Sequence, residues 1–106
     1  MTTETPAIGS PVLYTLNKDD AERINKRRDD FRKYTSGEIE EGREYPNHGW
    51  QAHVGNTVHA GQQFPGVVVN RFSTSVNLRV FLDGTDDFWA CSKSEGAEEG
   101  NWQVQA

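Results

Sequence analysis

A chain of 106 residues with 34% apolar and 10% aromatic residues has the size of one domain with a modest core and is too short for two. Eleven Lys and Arg against sixteen Asp and Glu leave a formal charge of −5, which argues against general nucleic-acid binding, because that affinity comes from clustered cations neutralising phosphates. A single cysteine excludes an internal disulfide and a multi-cysteine zinc site, and no apolar run approaches the ~20 residues of a membrane span, so a cytoplasmic protein without membrane contact is expected.

Residues 1–10 hold Thr, Pro, Gly and Ser with little to bury, which predicts a mobile tail ahead of a single domain over 11–106. Val12, Leu13, Tyr14 and Leu16 then form a short apolar stretch, read as an anchoring segment or an added edge strand. A helix over about 18–34 follows: Asn17 is a good N-cap, Asp19 and Asp20 occupy the first turn where the helix dipole favours negative charge, and Leu16 can staple onto Ala21. Ala21, Ile24, Arg28 and Phe31 recur at helical spacing and predict one narrow stripe facing the body, with Gly37 near the stop. Seven basic residues against five acidic ones make this segment basic, whereas everything after Tyr34 carries four basic residues and ten acidic ones. An acidic connector over 35–47, with Glu38, Glu40, Glu41 and Glu44, joins the helix to the rest.

From Trp50 the period changes to that of strands. Segments 50–54, 66–72, 77–82, 88–92 and 102–104 are rich in β-branched and aromatic residues and are separated by Gly, Asn, Asp, Ser or Pro. Asp83-Gly84 predicts one hairpin and Ser73-Thr74-Ser75 another. Five short strands in about fifty-five residues predict an α+β fold, with the N-terminal helix packed on a small antiparallel SH3-like β-barrel of about five strands over 48–105.

Gly55-Asn56-Thr57-Val58-His59-Ala60, then Phe64-Pro65-Gly66-Val67-Val68-Val69, then Val80-Phe81-Leu82-Asp83-Gly84 resembles the layout of Tudor-type SH3-like barrels. That resemblance covers about half the chain and bears on fold alone. Leu13-Tyr14-Thr15-Leu16 with 20–28, Gln51-Ala52-His53-Val54-Gly55-Asn56, the run 80–90, Ser94-Glu95-Gly96 and Trp102 together resemble a group of small uncharacterised proteins encoded by actinobacterial phages and prophages. This second likeness implies a phage accessory protein and carries no activity or site residues. The acidic connector departs from the group's usual pattern.

Three histidines, His48, His53 and His59, invite a zinc reading, but the odd separation of the first two places them on opposite faces of a strand, and no metal or other cofactor is expected. Asp83, Asp86 and Asp87 surround Gly84 without the alternating order of a calcium loop and are read as a polar hairpin turn. Cys91, between Ala90 and Ser92 in a predicted strand, is read as a small buried filler. A Gly-rich phosphate loop, a Ser-centred elbow and a paired-carboxylate motif are missing from the sequence, so a non-enzymatic protein is expected.

Phe88 and Trp89 are adjacent and must point to opposite sheet faces. Either Trp89 packs beneath the helix, covered by Ile24 and Phe31, or it is exposed and able to anchor a partner or stack a base. Arg23, Lys26 and Arg27 share one side of the helix, with Arg71 and Arg79 on neighbouring predicted strands, and such a cluster either is a solvated face or holds phosphates while Trp89 or Trp102 stacks a ring. The candidate binding residues are thus Arg23, Arg27, Arg71, Arg79, Trp89 and Trp102. The leading expectation is a phage accessory protein that binds a host or phage protein through the barrel and the basic helix. The alternative is a sponge, forming a homo-oligomer, that sequesters a small anionic nucleotide without cleaving it.

Overall fold

The computed structural model of the chain describes residues 5–35 and 54–104. The first strand, β1 (Pro11–Thr15), buries Val12 and Tyr14 by simple alternation, and Pro11 takes the first strand position, where a missing N–H is tolerated. The helix α1 (Lys18–Thr35) starts where its caps dictate. Asn17 Oδ1 accepts from the Asp20 N–H at 2.8 Å and Asp20 Oδ2 accepts from the Asn17 N–H at 3.1 Å, a reciprocal capping box. Ala21, Ile24 and Arg28 are buried on the stripe that the spacing predicts, and Phe31 is half-buried.

Four further strands complete the described fold: β2 (Gln63–Arg71), β3 (Val76–Phe81), β4 (Asp87–Lys93) and β5 (Trp102–Val104). All pair antiparallel in the order β4-β3-β2-β1-β5, so the protein is an α+β fold of one helix and a five-stranded antiparallel sheet. β1 is therefore not an edge strand: it lies between β2 (Leu13 opposite Pro65) and β5 (Tyr14 opposite Trp102). Its inward residues Val12 and Tyr14 have a flanking strand on either side, which is what their complete burial requires.

Both predicted hairpins form. Phe72 N–H donates to the Ser75 carbonyl at 2.8 Å between β2 and β3. Between β3 and β4, Leu82 N–H donates to the Asp86 carbonyl at 3.2 Å and Gly84 takes a φ of 110°, a conformation that L side chains rarely adopt. A register shift between Val68 and Asn70 marks a bulge in β2. β4 and β5 share no ladder, but the chain just past β4 runs beside β5: Trp102 N–H donates to Ser94 at 3.1 Å, and Gly96 N–H to Trp102 at 2.9 Å.

The core lies between the inner sheet face and α1, built from Leu16, Ile24, Val68, Leu78, Val80 and Phe88 with Tyr14 and Trp102. Residues 5–10, expected as tail, are tied to β2: Gly9 N–H donates to Val68 at 2.7 Å, and Val68 N–H donates to Ser10 at 3.1 Å. The predicted connector over 36–47 and most of the predicted strand over 50–54 lie outside the described residues, and Val54 itself is not in a strand.

Candidate binding groove

Two polar contacts, one buried and one partly buried, fix where α1 sits. The Tyr14 hydroxyl donates to Asp20 Oδ2 at 2.5 Å, joining β1 to the helix start; burial and that carboxylate raise the phenol's pKa far above its ordinary value. Asn25 clips the main chain of Val58 from both sides, donating from Nδ2 to its carbonyl at 2.8 Å and accepting its N–H at 2.9 Å.

Further along, a charged knot joins the helix to the β3–β4 turn. The Asp86 side chain is fully buried, accepts from Arg27 at 2.8 Å and lies 3.7 Å from Arg28 Nε. Arg28 donates to the carbonyls of Asn56 and, at 2.8 Å, Asp83. Gly55 sits so close that a Cβ there would lie 2.2 Å from the Asp83 carbonyl and 2.7 Å from the Arg28 guanidinium carbon.

This docking leaves a groove of about 440 Å³ between α1 and β4, lined by Arg23, Lys26, Arg27 and Asp30 on the helix and by Phe88 and Trp89 on the strand. Phe88 points inward beneath two guanidinium groups, Arg23 at 5.3 Å and Arg27 at 5.8 Å from its ring centre. Trp89 points outward and is 44% exposed, with Arg79 stacked 5.6 Å from its ring. Of the two arrangements open in the sequence, Phe88 takes the covered position and Trp89 the exposed one. Lys26 pairs with Asp30 at 2.7 Å, Arg27 is held by Asp86 and the Asp87 carbonyl, and Arg79 pairs with Asp87 at 3.2 Å. Arg23 has no carboxylate partner among the described residues. The groove thus offers one uncommitted guanidinium and two anchored ones around an exposed indole, a local positive surface on a chain of net negative charge.

Four of the six candidate residues, Arg23, Arg27, Arg79 and Trp89, meet here. Arg71 lies apart at the end of β2, beside Phe72, Ser73 and Thr5. Trp102 belongs to the core: it is 2% exposed, and its Nε1–H donates to the Lys93 carbonyl at 3.0 Å, so its ring has no face to offer a ligand. Cys91 is exposed, contrary to the buried filler that its apolar neighbour suggested, because it shares the outward parity of Trp89. His59 is exposed, while His48 and His53 lie outside the described residues.

Asp86 is the residue that sequence reading missed. It stands in an acidic turn like its exposed neighbour Asp83, and only the arginines brought over it by the helix distinguish it. No described helix is long and apolar enough to cross a membrane. Comparisons with protein-family models, with curated proteins and with solved structures return no match for this chain.

Proposed function

We propose that the chain is a non-enzymatic phage accessory protein that binds a host or phage protein, in the host cytoplasm, through the face formed by α1 and β4. The observation that carries this reading is Trp89, an indole left 44% exposed inside a frame of arginines from both the helix and the sheet. Tryptophan and arginine are the residue types that dominate binding hot spots, since each adds a large contact area with a directed polar group. Phe81, 48% exposed, stands diagonally across from Trp89 on the same sheet face and extends the contact surface. The body presenting this face is an SH3-like small barrel in our reading, supported by the bulged β2 and by the hydrogen bonds that join residues 94–96 to β5.

A second reading, capture of a small anionic nucleotide without cleavage, is favoured by one feature: the uncommitted Arg23 guanidinium lies in the same groove as a stackable indole.

Native mass spectrometry of the protein purified from a bacterial host, followed by binding of the recombinant co-purifying protein to wild type, Trp89→Ala and Arg23→Glu, tests both readings. A protein partner that binds wild type and is weakened at least tenfold by either variant is the expected result. A nucleotide released intact on denaturation selects the second reading. Release of a converted product overturns the non-enzymatic assignment, and binding indifferent to both substitutions overturns the proposed face.

A further inference from the structure

Consecutive residues of a strand project to opposite faces, so a groove lined by both Phe88 and Trp89 must run along the edge of β4. Among the described residues β4 pairs only with β3, and its other edge has no strand partner among them. The direction of its main-chain groups follows from three hydrogen bonds. Asp87 N–H donates to Asp86 Oδ1 at 2.9 Å and its carbonyl accepts from Arg27 at 2.9 Å, so neither group turns toward β3. Leu82 N–H reaches the Asp86 carbonyl, one residue earlier, which sets the phase of the ladder. Hydrogen-bonded and non-hydrogen-bonded pairs alternate in an antiparallel ladder, so Phe88 and Ala90 bond to β3 while the N–H and C=O of Trp89 point out to the edge. Among the described residues neither Trp89 group has a hydrogen-bond partner.

We infer that this edge accepts an extended acidic segment of a partner protein by strand addition, its main chain pairing with the N–H and C=O of Trp89. The inference rests on the protein-binding reading above and specifies the form of the partner. Charge selects the sequence. An added strand beside β4 turns alternate side chains toward α1, where Arg23, Lys26, Arg27 and Asp30 form the wall, three cations to one carboxylate, and the others toward the outer face beside Trp89. Acidic residues suit the first set and apolar residues the second. A second copy of this chain is disfavoured at the same edge, since pairing β4 with β4 would bring two such basic walls together. The regular stretch from Phe88 to Cys91 contains neither Pro nor a charged residue, and the bulge in β4 at the left-handed Ser92 (φ 56°) together with the Arg27 contact on the Asp87 carbonyl confines the open edge to the stretch around Trp89.

The experiment uses the ¹⁵N-labelled full chain and an acetylated, amidated hexapeptide of alternating glutamate and valine, with the same peptide N-methylated at every second residue as its control. Amide exchange is read residue by residue. At saturating peptide, the Trp89 amide is expected to exchange at least about fivefold more slowly, while Phe88 and Ala90 are protected with or without peptide. N-methylation is expected to weaken binding by about fivefold or more, as loss of a backbone hydrogen bond requires. Binding that shifts α1 resonances but leaves Trp89 exchange unchanged, or that survives N-methylation, overturns strand addition and leaves the groove as a side-chain site. Absence of peptide binding at millimolar concentration overturns the inference alone, because the recombinant-partner assay judges the binding face separately. Protection of Trp89 that rises with protein concentration in the absence of peptide overturns the acidic partner in favour of a second copy.

Discussion

Replacing Asp86 by Asn removes one negative charge from a fully buried side chain while keeping its shape. Arg27 at 2.8 Å and Arg28 at 3.7 Å are then left as two guanidinium groups without their shared counter-charge. Breaking a buried pair by removing one partner costs about 3–5 kcal/mol, because the remaining charge stays desolvated. Arg27 is about one-third exposed and can recover some hydration, whereas Arg28 is buried, so a loss of about 3 kcal/mol is expected. For a domain of this size that lowers Tm by roughly 12–20 °C. Urea unfolding followed by tryptophan fluorescence measures the loss, and the double variant Asp86→Asn with Arg28→Met isolates the coupling. A change below about 0.5 kcal/mol, the range of ordinary surface substitutions, would falsify the view that this knot fastens α1 to the sheet. A coupling near zero would assign the loss to Arg27 alone.

Tyr14→Phe removes a buried hydrogen bond to a carboxylate and is expected to cost about 1.5–3 kcal/mol in the same unfolding assay. The folded-state pKa of Tyr14 is raised above the unfolded value of about 10, so its contribution is complete below that pH and is lost as pH rises beyond it; unfolding free energies measured from pH 9 to 11 should fall more steeply for wild type than for Tyr14→Phe. Asn25→Ala strips both hydrogen bonds from the Val58 main chain and is expected to cost about 1–3 kcal/mol, with faster amide exchange at Val58 as the local readout. Trp89→Ala, which disables binding in the proposal, should change unfolding free energy by no more than about 0.5–1 kcal/mol because the ring is largely solvent-facing; a larger loss would place it in the core. Native protein should react with one equivalent of a thiol reagent at Cys91, and a thiol that reacts only after urea is added contradicts its outward position.

Features governed by neighbours in the chain were legible in the sequence. The helix start follows from Asn17 and Asp20, which satisfy each other's main-chain groups within four residues, and the Asp83-Gly84 turn follows from the need for a positive φ at Gly84. The strand starts near residues 77, 88 and 102 also emerged, because β-branched runs between turn residues are local signals, whereas β2 begins at Gln63, three residues ahead of the expected 66, where pairing with β1 extends it through Pro65. The grouping of Arg23 with Arg27 was visible as well, since helical spacing alone places them on adjacent turns.

Position in the sheet, burial of charge and the choice between adjacent aromatics depended on the tertiary structure. β1 reads as an edge because it stands alone before the helix, yet a strand lies on each side of it. Asp83 and Asp86 are chemically the same residue in one turn, and only the crossing of α1 makes the second a buried counter-ion. The same crossing covers Phe88 and leaves Trp89 outside, while Trp102, equally aromatic, is enclosed by β1 and by the chain beyond β4. Local propensity reaches a few residues along the chain, so it determines where helix, strands and turns occur; which side chains meet is set by pairing and docking between residues tens of positions apart, and no short pattern encodes those separations.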